Sequence, residues 1–357
     1  MPLIRPKSAF LPRSFSWWPE GAVDLVPEKI EQTYKDGYAG VWHDPAATEV
    51  FESFIVAQPF GDLDGRRVSD ANSLTGAGEG KLVIPYRLVE QLFPGCWPGA
   101  AQQRGDCVAH STKNAALLTM ACDIASGKPD EVTGKIEGAP IIDPDGIKNG
   151  ALSTEAIYWY RGYSGDGWSC DAAAQIACSK SGLWLRNNYP EINVDLRKYS
   201  GKLAGQYGRT APPPEFTKAG QEHLIRTATR LRSLREWCDY LANGFGLTTC
   251  GGEGFSNQRD ENGVSRRSGS WSHALAVIGV DERDIIVAKY GEPLVLILNS
   301  WGKWNTGSRR IMGTNIDIPE GAFWARWSNV KNRLCLALSG AAGWPAKKLP
   351  EFSLLVG

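Results

Sequence analysis

The segment QQRGDCVAHSTKNAALLTMACDIAS, residues 102–126, decides how the rest of the chain is read. From Val108 onward its apolar residues recur at roughly helical intervals, and Gly127-Lys128-Pro129 ends the pattern. A central helix is predicted there, opened by Cys107 after the loop-like pair Gly105-Asp106. A sulfur in that place sits in the positive field of the unsatisfied amides of the first turn. A helix start, a nearby imidazolium and partial exposure all favour thiolate, and Cys107 can have all three.

Downstream of this helix, Ser169 to Ser179 predicts a second, Ala-rich helix, and Ser233-Leu234-Arg235-Glu236 resembles a capping box that opens a third through Leu241, ended by Gly244. After residue 245 the pattern turns strand-like, at Gly246 to Thr249, Ala274 to Val280, Leu294 to Leu298 and Ala322 to Trp327. Helices first and strands second predict an α+β fold, a helical half packed against a largely antiparallel sheet. Upstream, residues 1–82 are irregular and rich in Pro, Gly and aromatics, with Pro27 to Gln32 as the best short helix start. They read as an arm that wraps or braces a main domain spanning 83–340, with a turn-rich boundary from Asp64 to Gly80. The Pro- and Gly-bearing stretch 197–232 reads as a surface insertion, and 341–357 as a tail.

Composition narrows the classes. The 357 residues are 42% hydrophobic, enough for a real core, and Lys plus Arg balance Asp plus Glu at 39 each, so no polyanionic partner such as nucleic acid is expected. The start has no long apolar core of a secretory signal and no run reaches membrane-spanning length. The expectation is a soluble, unsecreted protein, cytoplasmic or within a protein assembly or virion, without membrane insertion. Eight cysteines lack the close pairing of a zinc site, so mostly reduced thiols and no metal are expected. The glycines at 251, 252 and 254 do not open a helix in the dinucleotide pattern, so they read as loop and no cofactor is expected.

The search for a base is short because the chain has four histidines, at 43, 110, 223 and 273. His43 lies in the arm, His223 in the insertion, and His110 on the helix of Cys107, where packing is its expected role. His273 heads the run Ala274 to Val280, where a strand entrance can present it to a cleft without burying it. If that run pairs antiparallel with Leu294 to Leu298, its start faces the other's end, and Asn299 becomes a neighbour of His273. The Asn299 amide can then orient the imidazole, and Trp301 can shield their hydrogen bond from water.

The motifs Gln102-Gln103-Arg104-Gly105-Asp106-Cys107, Ser272-His273-Ala274 and Asn299-Ser300-Trp301-Gly302 resemble, in order, the three catalytic motifs of papain-like cysteine peptidases of the C1 type. The likeness extends to Gly167-Trp168-Ser169, Ser181-Gly182-Leu183, Arg186 to Pro190 and Gly321 to Trp324, covering about 83–340. It implies a two-lobe papain-like fold, with a helical left lobe bearing Cys107 and an antiparallel sheet or barrel right lobe bearing His273 and Asn299. A peptide or protein substrate would lie in the cleft between the lobes and be hydrolysed through a thioester. The Cys107 amide and an upstream glutamine, Gln102 or Gln103 with Gln102 preferred, would hold the oxyanion. Gly165, Asp166, Gly167 and Trp168 would line the non-primed subsites. The sequence departs from the family at Val108, in place of the usual aromatic, at Arg104, in place of a cysteine, and at the shortened turn Gly165-Asp166-Gly167. The arm also lacks the long amphipathic helices of an inhibitory propeptide. The rival expectation is a structural or interaction protein of a larger assembly, for example a phage particle component, that keeps the fold with little activity and docks on a partner through the arm.

Overall fold

The structure, a computed structural model, describes residues 77–125, 152–162, 164–178, 183–210, 215, 225 and 228–339. The short helix start at 27–32, His43, His223 and the tail 341–357 lie outside the described residues.

In chain order the described elements are β1 (Leu82–Val83), α1 (Tyr86–Leu92), α2 (Cys107–Ala125), α3 (Glu155–Tyr158), α4 (Cys170–Cys178), β2 (Asn188–Tyr189), β3 (Val194–Asp195), α5 (Gly201–Gly208), β4 (Ala228–Leu231) and α6 (Leu234–Ala242). They continue as β5 (Gly246–Arg259), β6 (Ser265–Asp281), α7 (Asp284–Tyr290), β7 (Leu294–Leu298), β8 (Ala322–Arg326), α8 (Trp327–Val330) and β9 (Leu334–Leu338). The fold is α+β. One antiparallel sheet has the order β4-β9-β5-β6-β7-β8, with β1 paired to β6. A separate two-stranded ribbon joins β2 to β3.

Side chains alternate across a strand, and here both faces of the sheet are buried. Ala274, Ala276 and Ile278 of β6, Leu294, Leu296 and Leu298 of β7, and Leu336 and Leu338 of β9 belong to one core, shared with α1 and α2. Leu275 and Val277, Val295 and Ile297, and Cys335 and Ala337 point the other way, into a second core that includes Trp237 and Leu241 of α6. The uninterrupted apolar run of β7 is the sequence signature of this double burial.

Helix α2 is buried along almost its whole length, which explains why it lacks a polar face. Its polar side chains fasten it to the sheet: Thr119 Oγ1 donates to the Leu338 carbonyl at 2.9 Å and accepts the Gly246 N–H at 2.9 Å, and Ser111 bonds Thr248. The contact is close enough to demand glycine at 246, where a Cβ would stand 1.9 Å from the Ala115 carbonyl oxygen. Helix α6 carries the predicted capping box in full, Ser233 Oγ accepting the Glu236 N–H at 3.2 Å and Glu236 accepting the Ser233 N–H at 2.9 Å.

Three expectations change. Strand β5 runs on through Gly251, Gly252 and Gly254, which are not a loop. His273 lies well inside β6, which starts at Ser265, and not at a strand entrance. The stretch 197–232 holds α5 and β4, and β4 is part of the main sheet through its pairing with β9. Cys170 of α4 and Cys250 of β5 form a disulfide with their Cα atoms 6.4 Å apart, while Cys96, Cys107, Cys122, Cys238 and Cys335 stay as thiols, so the described cysteines are mostly reduced, as expected. Among the described residues no helix is long and apolar enough to cross a membrane.

Candidate active site

Helix α2 begins where the loop before it tightens: the Asp106 N–H bonds the Arg104 carbonyl at 2.8 Å, and the Asp106 carbonyl accepts the first helical N–H, from His110, at 3.1 Å. Cys107 therefore sits in the first turn. Its sulfur lies against β6, where the Ala274 backbone N–H bonds it, as does that of Val108. Burial pushes the Cys107 thiol up, and these two N–H groups with the Arg333 guanidinium pull it back down, while the neighbouring Asp106 adds to the rise.

The pairing of β6 with β7 puts Ala276 opposite Leu298 and Val280 opposite Val295, with an irregularity between Val277 and Gly279. The start of one run thus faces the end of the other, and His273 Nε2 meets Asn299 Oδ1 at 2.7 Å. The same oxygen accepts the Ser300 N–H at 2.7 Å. Since only an oxygen accepts from that amide, the orientation of the Asn299 side chain follows, and with it the tautomer: Nε2 carries the hydrogen and Nδ1 is left as the basic nitrogen. Trp301 stacks on the imidazole with centroids 4.7 Å apart and planes 26° from parallel. Trp271 meets the same ring edge-on at 5.9 Å, and Trp304 closes against Trp301 at 5.3 Å.

Of the two glutamines, Gln102 joins the segment around Asn299 and Gln103 does not. The Gln102 N–H donates to the Ser300 carbonyl at 2.8 Å, its Oε1 accepts from the Ser300 hydroxyl, and its Nε2 donates to the Arg104 carbonyl at 2.7 Å. Gln103 is exposed, its Oε1 accepting the Gly201 N–H at 2.9 Å at the start of α5.

The turn at 165–168 is stapled to the loop that precedes Cys107. Gly105 O accepts from Gly167 N at 2.9 Å and from the Tyr158 hydroxyl at 3.1 Å. Arg104 stands where the resemblance would put a cysteine, and its Nε donates to Asp166 at 2.8 Å and its Nη1 to the Gly201 carbonyl at 3.0 Å. Asp166 and Trp168 are buried, and the Asp166 carboxylate also accepts the Gly105 N–H at 3.2 Å. Their side chains brace the loop, which leaves half-buried Gly165 as the most accessible of the four residues expected to meet substrate.

Two expectations about access are corrected. Cys107, His273 and Asn299 are each 0% exposed, so neither the partial exposure expected of the sulfur nor an unburied imidazole is found. His110 packs as expected, edge-on to Tyr199 at 4.8 Å and with Nε2 3.6 Å from Asp106 Oδ1. Asp106 accepts from the Tyr199 hydroxyl at 2.6 Å, and burial pushes its carboxyl up to about 8.

Sequence reasoning missed Trp271, Trp304 and Arg333. Trp271 was open to it, being two residues before His273 on one strand and so on the same face. Arg333 was not, since it lies in an ordinary surface-type run, Lys331-Asn332-Arg333. Among the described residues no group of His, Cys, Asp or Glu side chains is placed to hold a metal.

No family model matches the sequence, and no curated protein matches it. Among solved structures, the chain is similar to xylellain, a cysteine protease from Xylella fastidiosa, at 16% identity and a TM-score of 0.42, over 68% of this chain and 84% of that one. It is similar to the cysteine protease and lectin-like domains of Cwp84, a surface layer associated protein of Clostridium difficile, at 15% identity and a TM-score of 0.43, over 84% of this chain and 60% of that one. A third is the proform of the Amb a 11 cysteine protease, a major ragweed pollen allergen, at 12% identity and a TM-score of 0.44, over 89% and 80% of the two chains.

Proposed function

We propose that this chain is a papain-like cysteine peptidase, built as a helical lobe and a sheet lobe, in which Cys107, His273 and Asn299 form the catalytic triad. The observation that carries the reading is the 2.7 Å hydrogen bond between His273 Nε2 and Asn299 Oδ1, an oxygen that also accepts the Ser300 N–H, so that Nδ1 is the basic nitrogen on a strand whose next residue bonds the Cys107 sulfur.

In this mechanism His273 Nδ1 takes the Cys107 proton as the sulfur bonds to the peptide carbonyl carbon, whose π pair moves onto oxygen. The Cys107 backbone N–H and the Gln102 amide hold that oxyanion. Collapse breaks the C–N bond, the leaving amine receives the proton from His273, and a thioester remains on Cys107. Water then gives a proton to His273 and attacks the thioester, releasing the acid and restoring the thiol. Trp301, stacked on the imidazole, shields its bond to Asn299 and offers a π face to the imidazolium. Because the triad is buried, a substrate reaches Cys107 only after the surrounding chain moves.

Turnover of a peptide library by the wild type and by Cys107→Ala tests the reading, together with labelling by a thiol-directed epoxide. Loss of both in the variant is expected. Labelling undiminished in Cys107→Ala removes Cys107 from the mechanism.

A further inference from the structure

Arg333 is a buried cation that takes no part in that mechanism. The Arg333 side chain is 0% exposed and lies just ahead of β9, its Nη2 donating to the His273 carbonyl at 2.6 Å and its Nη1 to Glu253 O and Oε2, both at 3.2 Å. Its Nε has no hydrogen-bond partner among the described residues. A buried guanidinium so incompletely satisfied is costly, and a surface position would avoid the cost. The backbone is shaped to admit it: Gly251 stands opposite His273 in the β5–β6 register, and a Cβ there would lie 2.7 Å from Arg333 Cγ and 3.2 Å from its Cζ.

The peptide group that joins His273 to Ala274 is shared by two hydrogen bonds. Its carbonyl oxygen accepts from Arg333, and its N–H, that of Ala274, bonds the Cys107 sulfur. A hydrogen bond at the oxygen of a peptide polarises the whole group and strengthens its N–H as a donor, the more so in a dry interior. A cation at the oxygen end does this more strongly than a neutral donor.

We propose that Arg333 is a positioning residue for the nucleophile, stabilising the Cys107 thiolate through the polarised 273–274 peptide while fixing the strand that carries His273. The inference rests on the reading of Cys107 as nucleophile and adds a residue to it. Arg333 does not touch the reacting atoms; it acts through the backbone. The charged groups that act on the sulfur are Asp106, beside it at the start of α2, and Arg333; Arg333 in turn faces Glu253 of β5 and the Cys335 thiol of β9, and His110 of α2 faces His273 of β6. Of these, Arg333 is the permanent cation. Glu253 balances part of its charge through Nη1.

The test is the pH dependence of Cys107 alkylation by iodoacetamide in the full chain, read by mass spectrometry of the peptide that contains residue 107. In Arg333→Gln the midpoint is expected to rise by roughly one pH unit or more, the scale of losing a nearby opposite charge. Arg333→Lys, which keeps the cation, is expected to restore part of the shift. Gly251→Ala, which keeps the arginine but displaces it, is expected to move the midpoint in the same direction as Arg333→Gln. The two substitutions at different positions keep the test open should one of them fail to fold, as judged by circular dichroism. An unchanged midpoint in the folded variants overturns the role of Arg333 while leaving the triad intact. A wild-type Cys107 whose alkylation midpoint matches that of an ordinary thiol and is unmoved by His273→Ala removes the nucleophile reading and the role of Arg333 with it.

Discussion

At the scale of single residues, the carboxyl of Asp106, just before Cys107, sets a pH signature. Burial raises Asp106 from its ordinary 3.8 to about 8. Below its unfolded value the group is neutral in both states, and its burial carries no ionisation penalty. As pH rises, the unfolded chain ionises first, so stability falls between about 4 and 8 and levels off above the folded value. His110 opposes this from the other side: burial holds it well below its ordinary 6.5, so its contribution is whole above that value and is lost progressively as pH falls below it toward the folded value. Asp106→Asn is expected to narrow the difference in unfolding free energy between pH 5 and pH 8.5, measured by urea denaturation. A difference as large as in the wild type would show that Asp106 ionises normally. The sequence revealed the helix start at Cys107 and the partner at Asn299, because each follows from a local pattern. It could not reveal that the sulfur is sealed, since burial depends on segments distant in the chain, nor that Arg333 reaches the His273 carbonyl from 60 residues away.

Among elements, the joint between α2 and β5 is the tightest. Alanine at 246 would drive a methyl into the Ala115 carbonyl, and the backbone on both sides leaves no flexible side chain to yield. Gly246→Ala is therefore expected to destabilise the fold by roughly 1–3 kcal/mol or more, the usual cost of overpacking, seen as a lowered urea midpoint at an unchanged slope. A midpoint within error of the wild type would mean that the helix can shift away from the sheet freely. The pairing of β6 with β7 was legible from two apolar runs and a polar connection, and it places the imidazole beside its amide. The continuation of β5 past Cys250 was not, because Gly251, Gly252 and Gly254 carry little strand preference. Two of them are there for close approach: Gly251 makes room for Arg333, and a Cβ at Gly254 would stand 2.3 Å from the Ser268 carbonyl oxygen.

For the molecule as a whole, the α+β architecture was legible in the order of helices and strands, while the link between its parts was not, since spacing alone does not pair cysteines. The Cys170–Cys250 bridge closes a loop across a sequence separation of 80 residues. Constraining a loop of that size in the unfolded chain stabilises the folded one by roughly 4–5 kcal/mol in the chain-entropy description. The double variant Cys170→Ser with Cys250→Ser is expected to lose stability on that scale, measured without reductant, and adding reductant is expected to lower the wild type toward the variant. If the two proteins unfold alike before reduction, the bridge is absent in solution. The bridge also has a topological consequence. Any single backbone cut between Cys170 and Cys250 opens a ring without releasing a piece, so a nicked chain will travel as one species on a gel until its disulfide is reduced, and only then separate into two.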